Sequence, residues 1–184
     1  MKLLLTATLL LLLWGCKKEK TPLETLPPAT QQGLNRMGCL IDGAAWQPRP
    51  GGLFAPTPIG VSRWPVEGHT TLSFIRFEDG GDKSSVSLYV PRLRQPGTYA
   101  LDQFAVWTNT WRNPPYGQHV IEGEVPGTHR DFYTGPEATG TLVVTRLDTV
   151  ARIVAGTFEM TVREAATGET KRLTHGRFDL TYPQ

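Results

Sequence analysis

The chain has 184 residues, with 19 Lys and Arg against 17 Asp and Glu (net charge +2), 39% hydrophobic and 20% charged residues. That balance is ordinary for a globular protein and argues against a disordered, collagenous or polytopic membrane chain; the small net charge leaves no electrostatic footprint for nucleic acid. The 19 Gly and 15 Pro exceed the usual share and suit short strands joined by tight turns better than long helices.

Met1 and Lys2 precede an apolar run, Leu3 to Leu13, interrupted only by two Thr and ended by Trp14, Gly15 and Cys16. A membrane-spanning helix needs ~20 apolar residues, so this shorter run reads as a secretory signal. The charged residues Lys17, Lys18, Glu19 and Lys20 that follow argue against a buried core helix. The segment Leu13-Trp14-Gly15-Cys16 resembles the lipobox of bacterial lipoproteins, with Trp14 in place of the usual small or aliphatic residue. An ordinary secretory signal followed by a chance cysteine is the alternative. The resemblance implies removal of residues 1–15, a diacylglycerol on the Cys16 thiol and palmitate-type acyl chains as the membrane attachment. Each buried CH₂ of such a chain is worth about 0.8 kcal/mol. In the same resemblance Lys17, where Asp would hold the protein at the inner membrane, points to the outer membrane; the periplasmic and surface leaflets both stay open.

Cys39 is then the single remaining thiol, so the mature chain has no intrachain disulfide even in an oxidising compartment. Its apolar setting, Gly38-Cys39-Leu40-Ile41, predicts a buried, inert thiol. A nucleophilic cysteine needs a His or a helix N-terminus to lower its pKa, and neither is near in sequence.

Residues 16–36, the lipidated Cys and a Pro-rich segment, read as a flexible tether; the alternative is that Leu23 and Leu26 dock onto the body. Residues 37–184 read as a single all-β domain. Asp42-Gly43 between two apolar runs predicts a hairpin. A Pro- and Gly-rich stretch follows, with one short strand near Ile59–Ser62. Thr70 to Phe77 and Ser84 to Val90 alternate in hydropathy and predict an antiparallel hairpin with an apolar face carrying Leu72, Phe74, Val86, Leu88 and Val90. Pro96 and Gly97 turn into a short strand ending near Leu101. Residues 103–137 predict a long irregular segment with short strands near His119–Ile121 and Asp131–Tyr133. Thr139 to Leu147, Ile153 to Arg163 and Lys171 to Tyr182 predict a meander. In its last strand Leu173, His175 and Arg177 stand opposite Thr174 and Phe178, and Gly176 marks a bulge. The expected fold is an antiparallel β-sandwich, or alternatively a partly open β-barrel.

The blocks Thr21-Pro-Leu-Glu-Thr-Leu-Pro-Pro-Ala-Thr30, Gly38-Cys-Leu-Ile-Asp-Gly-Ala-Ala-Trp46-Gln-Pro48, Gly156-Thr-Phe-Glu-Met160 and Gly176-Arg-Phe-Asp179 resemble an uncharacterised family of bacteroidete cell-envelope lipoproteins. The resemblance covers most of the mature chain and implies export and a β fold. It supplies no catalytic residues.

His69, His119, His129 and His175 are too widely spaced for a local metal motif, and Glu78, Asp79 and Asp82 lack the EF-hand pattern, so no metal or cofactor is expected. There is no nucleophile elbow, P-loop or dinucleotide fingerprint. If residues 120–125 form a strand, Glu122 and Glu124 share one face, which fits surface neighbours more simply than a glycosidase pair. The best binding candidate is Trp107, Asn109, Trp111, Arg112 and Tyr116: rings to stack on a sugar or peptide, with polar side chains to orient it. The competing reading places those rings in the core. The expectation is a monomeric, non-catalytic envelope module held to the membrane through Cys16, with an envelope protein or a glycan as partner. A carbohydrate-binding module and an undetected hydrolase are the alternatives.

Overall fold

A computed structural model describes residues 19–63, 69–78, 83–105, 113–123 and 128–183. The described residues form eleven strands and one helical turn, α1 (Pro22–Thr25). The strands are β1 (Arg36–Ile41), β2 (Ala44–Trp46), β3 (Ile59–Arg63), β4 (Thr70–Phe77), β5 (Lys83–Val90), β6 (Gly97–Leu101), β7 (Tyr116–Glu122), β8 (His129–Tyr133), β9 (Gly140–Asp148), β10 (Ile153–Glu164) and β11 (Thr170–Thr181). They make one antiparallel sheet in the order β2-β1-β11-β10-β8-β7-β5-β4-β3, with β9 and β6 branching from β10. The fold is all-β and antiparallel, as the alternating hydropathy predicts, and the sheet is not closed into a barrel.

The branch arises because β10 is twelve residues long and outruns β9 and β8, of nine and five, which share one of its edges. Ile153 to Met160 pair with β9, whereas Arg163 and Glu164 pair with Tyr133 and Phe132 of β8 on the same edge. One wing therefore continues into β9 and β6 and the other bends over through β8, β7, β5, β4 and β3. Their inner faces share one core, which includes Met37, Phe74, Leu88, Phe132, Leu142, Phe158 and Phe178. The Trp46 indole N–H spans that core to donate to Ser84 Oγ at 2.9 Å. Each fully buried side chain of this size contributes roughly 1.5–3 kcal/mol relative to exposure.

The β1–β2 turn is of the primed type: Asp42 and Gly43 both have positive φ, 50° and 86°, which matches the twist of a tight hairpin. On β11 the register slips by one residue opposite β10, between the pairs Phe158↔Gly176 and Met160↔Leu173. The bulge falls at Thr174 and His175, with His175 at φ 53°, directly before the predicted Gly176. It changes the alternation. Leu173 and Phe178 both point inward and His175 outward, so the facing inferred from strict alternation does not hold beyond Leu173.

The Pro-rich segment lies against the sheet from Thr25 onward. Thr21 and Glu24 cap α1 reciprocally, Leu26 is buried, and Gln47 Nε2 donates to the Thr25 carbonyl at 2.9 Å. The buried Asp179 carboxylate on β11 accepts from Thr30 Oγ1 (2.6 Å) and from the backbone N–H groups of Gln32 (3.0 Å) and Gly33 (2.6 Å). Of the two readings of this segment, docking applies to Leu26, while Leu23 stays exposed.

Candidate functional site

Register places a row of aromatic rings on the outer face of β5, β7 and β8. Tyr89 pairs with Tyr116, so both rings leave the sheet on the same side and stack at 5.0 Å with 20° between planes. Tyr133, paired with Gln118, lies diagonally across from Tyr116 with its ring at 6.4 Å, within the reach of diagonal neighbours on a sheet. His69, just before β4, extends the row at 5.9 Å from Tyr89.

The phenols in this row are held neutral. Burial raises the pKa of Tyr89; burial and then the neighbouring Tyr89 raise that of Tyr116. Burial, then Asp131, then Tyr116 push Tyr133 well above the ordinary tyrosine value. The Tyr133 hydroxyl accepts from Gln118 Nε2 at 2.7 Å. Neutral phenols are hydrogen-bonding and stacking groups; they are not bases or nucleophiles at neutral pH.

Tyr133 also lines a pocket of about 310 Å³ with Phe104, Ala105, Thr134, Ala138 and Arg163. Its wall is mainly apolar, with an ion pair between Arg163 and Glu137 at hand. Of the predicted binding residues, Tyr116 belongs to the row. Trp107, Asn109, Trp111 and Arg112 lie outside the described residues, as does Cys16. Their segment leaves the described body at Ala105, in the pocket wall, and returns at Asn113, three residues before Tyr116.

A second concavity, about 500 Å³, crosses the outer face of β9, β10 and β11 and is lined by Thr141, Thr157, Glu159, His175 and Arg177, with Ala29 of the docked segment beside them. The His175 backbone N–H approaches Glu159 Oε1 at 3.5 Å. Sequence reasoning missed this groove because its residues are far apart in the chain; the bulge at His175 was the available signal.

Other candidate groups stand apart. Cys39 is fully buried and desolvation pushes its thiol up to about 12, the inert thiol the apolar context predicts. Glu122 pairs with Lys83 at 2.8 Å, and Glu124 lies outside the described residues. His119 is buried; its Nδ1 sits 2.9 Å from the Ser85 carbonyl, which can only accept, so that nitrogen carries the proton. Among the described residues no group of three His, Cys, Asp or Glu side chains is placed to hold a metal ion, and no helix is long and apolar enough to cross a membrane. No protein-family model, curated protein or solved structure matches the chain.

Proposed function

We propose that this protein is a lipid-anchored, non-catalytic module of the cell envelope, held at the outer membrane through Cys16, that binds a partner with the face formed by the half-buried Tyr116 and Tyr133, backed by the buried Tyr89, and the adjoining Phe104 pocket. The observation that carries the reading is the continuity of a tyrosine row with an apolar pocket on one outer sheet face. Aromatic rings there give large contact area with few rotors to immobilise. The deep burial of Cys39, which keeps that thiol from acting as a nucleophile, supports binding over catalysis. A glycan is the second reading of the ligand. It draws support from Tyr133, whose ring borders the pocket near the Arg163–Glu137 pair, a combination of stacking and polar groups suited to a sugar.

The test is capture from glycan arrays and envelope extracts with a soluble chain beginning at residue 19, so that the docked segment is kept. Tyr133→Ala, Trp107→Ala and Trp111→Ala are each expected to reduce capture about tenfold or more, the scale of an aromatic contact residue. Capture unchanged in all three variants would remove this face from the proposal. A glycan bound in preference to envelope protein would select the second reading.

A further inference from the structure

Leu53 and Phe54 are 93% and 97% exposed, adjacent in sequence at the tip of the loop between β2 and β3. Their base is braced. Ala55 N–H donates to the Gly52 carbonyl at 2.9 Å; Arg49 exchanges backbone hydrogen bonds with Ile75 and Phe77 of β4, at 3.1 and 3.2 Å; and Gly51 sits so near the Phe77 ring that a Cβ there would lie 2.9 Å from it. The two side chains are thus projected by a packed turn. Paired apolar side chains held fully in water mark a surface that another phase or partner covers.

The chain itself identifies the occupant. The loop leaves the sheet beside the docked N-terminal segment: Gln47 is bonded to Thr25, and Pro48 and Ile59, near its two ends, line one concavity with Thr25 and Pro27. Leu23 on α1, also exposed, belongs to the same edge of the molecule. The segment is docked from Thr25 and the capped turn α1 leads directly to that point, so five residue steps, at most about 17 Å of extended chain, separate Cys16 from the Thr21 cap of α1. Those steps carry Lys17, Lys18 and Lys20 against a single Glu19, a charge that favours anionic headgroups.

We infer that Leu53 and Phe54, with Leu23 beside them, insert into the lipid interface and seat the body against the membrane that holds Cys16. The inference rests on the proposed lipidation of Cys16. It adds an orientation: the short leash brings the β2–β3 loop to the headgroups, where an apolar tip buries about 5–10 Å deep.

The experiment uses the full mature chain, purified from membranes with its lipid and reconstituted in phosphatidylethanolamine–phosphatidylglycerol vesicles. An environment-sensitive fluorophore is attached through Phe54→Cys or, as control, Phe104→Cys, an exposed position across β5, β7 and β8 from the loop; the buried Cys39 does not take the label. The expected result is a blue-shifted emission at position 54, quenched about twofold by nitroxide lipids, with position 104 unquenched. In addition, Leu53→Ser with Phe54→Ser, which removes no packed contact, is expected to speed tryptic cleavage after Lys17, Lys18 and Lys20 several-fold by freeing the leash. Vesicle-bound protein with a water-like signal at position 54 overturns the inference and leaves the anchor standing. A chain recovered in the soluble fraction with Cys16 unmodified by mass overturns both.

Discussion

At the scale of single residues, two side-chain positions hold the fold to one geometry. A Cβ on Gly176 would lie 2.6 Å from the Phe158 ring and from the Phe158 carbonyl oxygen, so the bulge works only with hydrogen at that site. Gly176→Ala is expected to lower stability by about 1–3 kcal/mol, read as a shift of the urea midpoint. Asp179 is the other. Burial opposes its ionisation, but hydrogen bonds from Thr30, Gln32, Gly33 and Leu34 outweigh this and hold its carboxyl below the usual range. Asp179→Ala releases three part-buried donors, with an expected loss of about 1 kcal/mol and faster amide exchange at Gln32 and Gly33. Neither role is written locally in the sequence. Gly176 was legible as a bulge signal because it interrupts an alternating run; Asp179 was not, because its partners stand about 150 positions away in the chain.

At the scale of elements, legibility followed the chemistry of the inward-facing positions. β4, β5 and β10 alternate cleanly because their inner residues are apolar: Leu72 and Phe74, Val86 and Leu88, Phe158 and Met160. β7 escaped as a full strand because its buried positions include Gly117 and His119, which carry no hydropathy signal. The tyrosine row was hidden for a related reason. Tyr89, Tyr116 and Tyr133 lie on three strands whose pairing, not their spacing, brings the rings together. The docked segment, rich in Pro and polar residues, reads as linker by composition, although Leu26 and the Asp179 hydrogen bonds fasten it.

At the scale of the whole molecule, stability is expected to fall in acid in two stages. His119 is held neutral: burial lowers its pKa from the ordinary 6.5, against the opposing Ser85 carbonyl. The unfolded chain takes up that proton first, so stability begins to fall as pH drops below about 6.5. Glu164, near the end of the strand the two wings share, is pulled from 4.5 to about 2, first by Arg130 and then by Thr167. The Arg130 guanidinium meets its two oxygens at 3.0 and 2.5 Å and reaches Glu169 at 2.6 Å. Its contribution is complete above pH 4.5 and is lost as pH falls toward 2. Urea midpoints measured from pH 7 to pH 2 should show both stages, and Glu164→Gln should reduce the second, to which Asp179 also contributes.

The clasp at Asp179 also decides how the molecule bears load. β11 lies between β1 and β10, so a tug arriving from the N-terminal side of the chain is handed to an interior strand hydrogen-bonded along both flanks. Such a pull must shear two ladders at once, whereas traction on an outermost strand would peel its bonds apart one by one. The body is moored amidships.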